Sequence, residues 1–386
     1  MLNFLKRAYA EIHLDRARRN VEKIKTLLQG NSEIMAVVKA NGYGHDDIAM
    51  ARCFEGEGVR YFAVSNIHEA QRLRQAGIRG DVLILGYTAP EYADDLINDD
   101  ILSAVISMEH AESLSARASG PLRCHAVVDT GMGRIGLREE TPERCAEQIL
   151  QMTALPNLRV EGIFSHLASA DSDDPDDVDY TKAQRNFLLR VYDILVERGL
   201  KLPHVHFLNS AGGTYYSDPR CTLSRFGIML YGLFPNPELS LPIQLEPVMD
   251  LRAEVSYVAP LKKGSYVSYG RTYKAEQDIV SATITIGYAD GYSRLLSSKG
   301  EVLLHGKRAK IIGRVCMDQF MVDVTGMDVK VGDIATLLGT DGAETITADD
   351  LASLYGTIGY EVVCGISKRI PRVIMDNGEI LKVLEY

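Results

Sequence analysis

Five short segments combine a reactive side chain with small or turn-forming neighbours. They read Lys39-Ala-Asn-Gly-Tyr-Gly-His45, Asp129-Thr-Gly-Met-Gly-Arg134, Ser165-His166, Asn209-Ser-Ala-Gly-Gly213 and Arg225-Phe-Gly-Ile228, and each lies at or beside a short apolar run. A lysine behind an apolar run is ordinarily a solvated loop residue, because Lys is seldom buried without a reason. Facing a closed pocket it is a different reagent: desolvation lowers its pKa, and the free amine adds to carbonyls as a Schiff-base nucleophile. His166 alone reads as a rim histidine. Arg134, behind its Gly-rich turn, reads as a surface residue whose fork also suits a carboxylate. The constellation carries more weight than any single member.

The elements that must position these residues come in two patterns. Over the first 235 or so residues, β-branched or apolar runs recur at 34–38, 61–64, 82–85, 102–106, 124–128, 160–164, 204–208 and 226–230. Most are separated by segments of helical spacing, such as 70–76 and 183–195, which predicts parallel strands with crossover helices. Eight such runs are the number that closes a (β/α) barrel, although the link between the last two is short. A helix from Asp15 to about Gln29 precedes the first run, and 8–14 reads as an extra strand pairing elsewhere. After Pro235-Asn-Pro237 the character changes to Val-, Ile- and Thr-rich runs divided by Gly and Asp turns, with helical periodicity scarce until 348–354. That predicts a mostly antiparallel β domain, with the boundary near 236–245 and the chain divided as 1–240 and 241–386. In a parallel barrel the site lies at the carboxyl ends of the strands, the rim where all five segments fall. Ser210 with Gly212 and Gly213, and Gly227 near the eighth run, then suit the phosphate cradle that such barrels build from the loops after strands seven and eight.

Composition narrows the function classes. The 386 residues are 46% hydrophobic and 24% charged, enough for two ordinary globular units. A formal net charge of -10 without a basic run argues against a polyanionic partner such as nucleic acid. No apolar run approaches the roughly 18 residues of a membrane span, and charges interrupt the first residues before a signal peptide could form. Cys53, Cys124, Cys145, Cys221, Cys316 and Cys364 are widely spaced with no CxxC pair, so free thiols in a cytoplasmic protein, with no metal, are expected. The acidic stretch 171–179 (DSDDPDDVD) reads as a solvated loop, with a role at the pocket mouth as the alternative.

The segment 36–45 resembles the cofactor-attachment motif of alanine racemases, and the likeness runs nearly the whole length. It includes 129–134, His166, His206-Phe-Leu-Asn-Ser210, 225–228, Val267-Ser-Tyr-Gly270, Gly287-Tyr-Ala-Asp-Gly291, Cys316-Met-Asp318 and Tyr360-Glu-Val. The resemblance implies an eight-stranded barrel joined to a β domain in a head-to-tail homodimer that uses pyridoxal 5'-phosphate (PLP). It implies that Lys39 holds PLP covalently and that Tyr269, from the other subunit, faces it across the cofactor. Tyr43, Ser210, Gly227, Ile228 and Tyr360 are implied to hold the phosphate. Arg225 is implied to contact the pyridine nitrogen with His206 behind it, and His166 to lie near Tyr269. Arg134 and the other subunit's Met317 are implied at the substrate carboxylate, with Tyr288 and Arg294 lining the entrance. Two bases on opposite faces of a planar centre, Lys39 and Tyr269, are what racemisation demands, since one proton must leave one face and another return to the other. A tyrosine starts near pKa ~10, so positive groups must favour its phenolate, with Arg134 and His166 as candidates.

One departure stands out. Seven residues before the motif arginine, many members of that family carry a carbamylated lysine that pairs with it, whereas this chain has Val127. Alternation puts His125, Val127 and Asp129 on one strand face. Val127 accepts no hydrogen bond, so Arg134 is expected to be held differently. The resemblance implies alanine as substrate, Tyr360 narrowing the pocket to a methyl group. Serine racemases of the vancomycin-resistance type are the near alternative, since they too depart at the Val127 position. A barrel decarboxylase would place an acid where Arg225 stands. A non-catalytic PLP-binding protein would lack the β domain that carries Tyr269 and Met317.

Overall fold

The computed structural model describes residues 6–386. The apolar runs of the first half become parallel strands because both their faces are covered. One face points into a barrel, and the other packs under the crossover helices. After β1 (Ala8–His13) come β2 (Glu33–Val37), β3 (Tyr61–Val64), β4 (Asp81–Ile84), β5 (Ile101–Val105), β6 (Leu122–Val127), β7 (Leu158–Phe164), β8 (His204–His206) and β9 (Leu223–Phe226). Strands β2 to β9 form one sheet in the order β8-β7-β6-β5-β4-β3-β2-β9. The circle closes through Thr222 N–H to Val205 O at 2.9 Å and Arg225 N–H to Leu208 O at 3.0 Å. Inside, Met35, Val37, Ala63, Leu83, Leu102 and Leu223 pack together, and Ala104, Val127 and Phe164 form a separate small cluster.

The eighth strand is displaced from its expected place. It spans Leu223–Phe226, and the more apolar stretch Ile228–Tyr231 is a fully buried 3-10 turn. A short apolar run cannot be told from any other buried segment by periodicity. The opening helix spans Leu14–Lys25 and ends before Gln29. The acidic stretch 171–179 is also not simply a loop. Asp174 caps the helix Pro175–Glu197 by accepting from the N–H of Asp176, and Asp176 and Asp177 sit in its first turn. Acidic residues and a first-turn proline suit a helix N-terminus, where N–H groups lack partners.

Beyond the barrel lies a ten-stranded, mostly antiparallel sheet whose long central strand is β10 (Met249–Leu261). The run at 8–14 does pair elsewhere: β1 lies antiparallel to β10, with Ala8 opposite Ala253, and parallel to the strand Arg372–Asp376. Among the described residues, β1 thus joins the second sheet before the chain enters the barrel. The strands Ile334–Asp341, Arg372–Asp376 and Glu379–Leu384 were not anticipated from the sequence. All six cysteines are unpaired, and among the described residues no helix is long and apolar enough to cross a membrane.

Candidate active site

A cavity of about 830 Å³ opens at the carboxyl ends of the barrel strands. It gathers Lys39, Tyr43, Arg134, His166, Ser210, Arg225, Gly227, Ile228 and Tyr360, together with Val127 and Asp171. Tyr269, Met317, Tyr288 and Arg294 are not among its lining residues.

Lys39 follows β2 directly and begins a left-handed turn. Ala40, Asn41, Gly42 and Tyr43 have φ of 55°, 55°, 60° and 51°. Left-handed backbone costs roughly 1–2 kcal/mol for each residue with a Cβ, so local propensity opposes this turn and its surroundings must impose it. It is closed by Gly42 N–H to Val38 O at 2.9 Å and Gly44 N–H to Ala40 O at 3.0 Å. Glu69, at the start of the helix Ile67–Gln75, accepts from the N–H of Ala40 at 2.8 Å and from that of Ser65 at 2.8 Å. Sequence reasoning missed Glu69, which has no motif of its own. The result sends Lys39 and Tyr43 into the same cavity. Burial, then the Arg134 charge, lowers the Lys39 pKa, which raises the fraction of free amine.

The floor is built differently. Arg225, 3% exposed on β9, donates from Nη1 to His206 Nδ1 at 2.7 Å and from Nη2 to Ser165 O at 2.7 Å and Phe207 O at 3.4 Å. Nη2 also lies 3.3 Å from His166 Nδ1. A guanidinium accepts nothing, so both histidines accept at Nδ1 and carry their proton on Nε2. His206 then donates from Nε2 to His125 Nδ1 at 2.8 Å, which places the His125 proton on Nε2 as well. One arginine thus dictates the tautomers of three imidazoles. Burial, with Arg225 adding to it, pushes His166 down to about 3 and His206 well below the ordinary histidine range. Burial and His204 push His125 to about 3. Arg225 is itself lowered to about 10 by burial and stays charged near neutrality. The expectation that His166 adds positive charge near Tyr269 is therefore corrected: a buried imidazole beside two arginines is neutral, and it offers an Nε2–H donor instead. Sequence reasoning placed His125 on this strand face without giving it a role.

Also on the cavity wall, Ser210 opens the short helix Ser210–Tyr215, and its hydroxyl accepts from Gly227 N–H at 3.0 Å. A Cβ on Gly227 would come within 2.6 Å of the Tyr43 hydroxyl, so only glycine leaves room there. Burial raises the pKa of Tyr43 and Tyr360, so both phenols keep their protons and act as donors. Ser210, Tyr43, Tyr360 and the turn at Gly227 and Ile228 thus line the same cavity as Arg225.

Arg134 projects into the cavity with no hydrogen bond or ion pair among the described residues. Asp129, five residues before it, is occupied. It accepts from Gly131 N–H and Gly133 N–H, each at 3.0 Å, and from Arg138 Nε at 2.9 Å. Val127 packs with Ala104 and Phe164 and offers Arg134 nothing polar.

Tyr269 and Met317 stand on the surface of the second domain, 71% and 53% exposed. Tyr269 begins a 3-10 turn between two residues of positive φ, Ser268 at 68° and Gly270 at 71°. Ser268 Oγ donates to Arg314 O at 2.8 Å, so the arm is braced rather than loose. The motif at 287–291 supports the neighbouring loop: the N–H groups of Tyr288 and Ala289 donate to Cys316 O and Met317 O at 3.0 and 3.1 Å. Its Asp290, fully buried, is forked by Arg7 at 3.1 and 2.7 Å.

Fold and cavity together define a (β/α)8-barrel protein with an appended antiparallel sheet and a cavity at the carboxyl ends of the barrel strands. Comparison with known proteins narrows this. Residues 12–235 match the alanine racemase N-terminal domain, and residues 248–374 match the alanine racemase C-terminal domain. An alanine racemase of Clostridium perfringens is 41% identical over 388 aligned residues, covering 98% of each chain. The crystal structure of alanine racemase from Bacillus anthracis with bound L-Ala-P superposes with a TM-score of 0.93 at 35% identity, covering 100% of this chain and 99% of that one. A histidine racemase from Leuconostoc mesenteroides superposes at 0.86 with 31% identity, covering 96% of this chain and 98% of that one. The chain belongs to the alanine racemase family.

Proposed function

We propose that the protein interconverts L- and D-alanine, with PLP held on Lys39 and a second copy of the chain completing each site. The residues suit PLP. Gly227 leaves a cradle that a Cβ would fill, protonated phenols and Ser210 suit an anion, Lys39 is an amine of lowered pKa, and Arg225 lines the same cavity. Bound there, PLP supplies the electron sink that makes an amino acid's α-proton removable.

The chain's own residues supply the rest. Arg134 offers its fork to the substrate carboxylate. Lys39 Nζ takes or returns a proton on one face, and Tyr269 Oη of the second copy does the reverse on the other. One turnover thus exchanges the protonation states of the two bases, and a proton must pass back between them, directly or through solvent, before the next in the same direction. Arg225 keeps its own proton and donates towards the cavity floor, where the neutral histidines behind it add no competing charge.

The observation that carries this reading is that Lys39 lines the cavity while Tyr269 stands on a braced, exposed arm outside the cavity of its own chain. Two opposed bases then require two chains. Incubating the protein with PLP and either L-alanine or L-serine, and measuring the D-enantiomer, tests the reading. Faster D-alanine formation is expected, because the Tyr360 ring occupies the cavity wall and leaves room for a methyl group. Preference for serine would assign the chain to the serine-racemising alternative, and D-product from neither would leave a PLP-binding role.

A further inference from the structure

We infer that Arg372 and Tyr386, far from the cavity in sequence, are positioning residues that hold the Lys39 turn in its left-handed form from outside the barrel. The inference rests on Lys39 being the catalytic amine.

A turn that its own residues disfavour needs an external restraint. On the barrel side Val38 and Glu69 supply bonds at its start. On the other side Arg372, at the first position of a strand in the second domain, is 0% exposed. Its Nε donates to Gly44 O at 2.8 Å. Nη1 donates to Ser367 O at 2.7 Å and Ile370 O at 2.6 Å, and Nη2 to Ile366 O at 2.7 Å. Each of these partners is a neutral carbonyl, so the guanidinium is desolvated without a paired carboxylate among the described residues. That is an expensive way to stabilise a fold, and a hydrophobic side chain would do it at less cost. What the guanidinium does that an apolar residue cannot is tie the 366–370 loop to Gly44 in a fixed fork.

Tyr386 repeats the connection. Its hydroxyl donates to Asp46 Oδ2 at 2.9 Å, and its ring lies 5.7 Å from the Arg372 guanidinium carbon and 5.0 Å from Lys368 Nζ. Asp46 is itself at φ 90°, and its other carboxylate oxygen caps the next helix through Ala49 N–H at 2.8 Å. Gly44, at φ 83°, has no room for a Cβ against Val363 O, so the domains meet without a gap at this point. The segment 39–46 is thus gripped at Gly44 and Asp46 by the domain that does not contain Lys39.

Three of the four Arg372 bonds lie within its own domain, so a purely structural role must be separable from positioning. The test compares the full-length wild type with Arg372→Lys and Tyr386→Phe. Amide hydrogen exchange without added PLP should be about tenfold or more faster across 40–46 in both variants, with the amides of β2 and β6 unchanged. With PLP bound, the primary deuterium isotope effect should rise for the alanine enantiomer whose proton Lys39 removes and stay as in wild type for the other. Unchanged exchange across 40–46, or isotope effects that move equally for both enantiomers, would overturn the inference. Tyr386→Phe loses one hydroxyl on a half-exposed ring, so it carries the test should Arg372→Lys not fold. Loop-local exchange without any racemisation would leave the latch standing and refute the catalytic reading instead.

Discussion

The floor of the cavity and the turn that carries Lys39 are a few ångströms of chemistry built by opposite means. The floor rests on regular strands. Arg225, His206 and His125 lie on β9, β8 and β6, and hydrogen bonds running from the charged guanidinium into two neutral imidazoles order them. The Lys39 turn rests on backbone that five successive residues, 40–44, hold at positive φ, and its restraints come from a neighbouring helix and from the other domain. The floor presents one permanent charge whose surroundings cannot compete with it. The turn presents an amine that has to gain and lose a proton, and its geometry is imposed from outside. Rigidity on the floor is a by-product of the barrel, whereas rigidity at Lys39 has to be added.

The largest effect should come from breaking the floor. Arg225→Met leaves His206 Nδ1 and Ser165 O without their donor, and racemisation should fall about a hundredfold to a thousandfold, the scale of one lost preorganised donor. Steady-state kinetics at saturating PLP check this. A loss of only a few-fold would mean that the floor is structural support alone.

Acid should expose the same region through stability. His125 has a folded pKa of about 3, caused first by burial, against ~6.5 when unfolded. Between those values the unfolded chain binds the extra proton. Stability is therefore intact above about pH 6.5 and is lost as pH falls towards 3, on the order of 1 kcal/mol per pH unit for this histidine. Urea midpoints from pH 7 to 4 should show a steeper decline in wild type than in His125→Phe; identical slopes would contradict the buried neutral column.

Much of the floor was legible beforehand: alternation along the strand put His125, Val127 and Asp129 on one face, and Arg225 stood out beside the eighth run. The turn was legible only as a motif. Nothing in Lys39-Ala-Asn-Gly-Tyr signals left-handed backbone at Ala40 or Tyr43, because it is tertiary contacts that override their preference. Arg372 and Tyr386 were invisible for the same reason: the partner of Arg372, Gly44 O, is a carbonyl that leaves no mark on sequence, and that of Tyr386, Asp46, lies 340 residues away in the chain. The eighth strand was misplaced because the buried turn Ile228–Tyr231 is more apolar than the strand before it. The sign of His166 was misjudged because burial is not readable from residue type.

Smaller effects belong to the walls. Tyr360→Ala should widen the cavity and shift the serine-to-alanine ratio by about tenfold towards serine, since pocket size alone discriminates modestly. An unchanged ratio would remove Tyr360 from the specificity argument. Val127→Lys, once carbamylated, should change turnover by less than about tenfold, since one added carbamate–guanidinium pair at the exposed Arg134 is worth about 1 kcal/mol. A rise of orders of magnitude would show that Arg134 lacks an essential partner in this chain.

The central claim, that Lys39 and Tyr269 meet only across two chains, is tested most directly by mixing two inactive variants. Lys39→Ala and Tyr269→Phe, unfolded and refolded together with PLP, should regain up to about a quarter of wild-type activity, because half the dimers are mixed and each of those has one intact site. A mixture as inactive as either variant alone would mean that both bases serve the same chain.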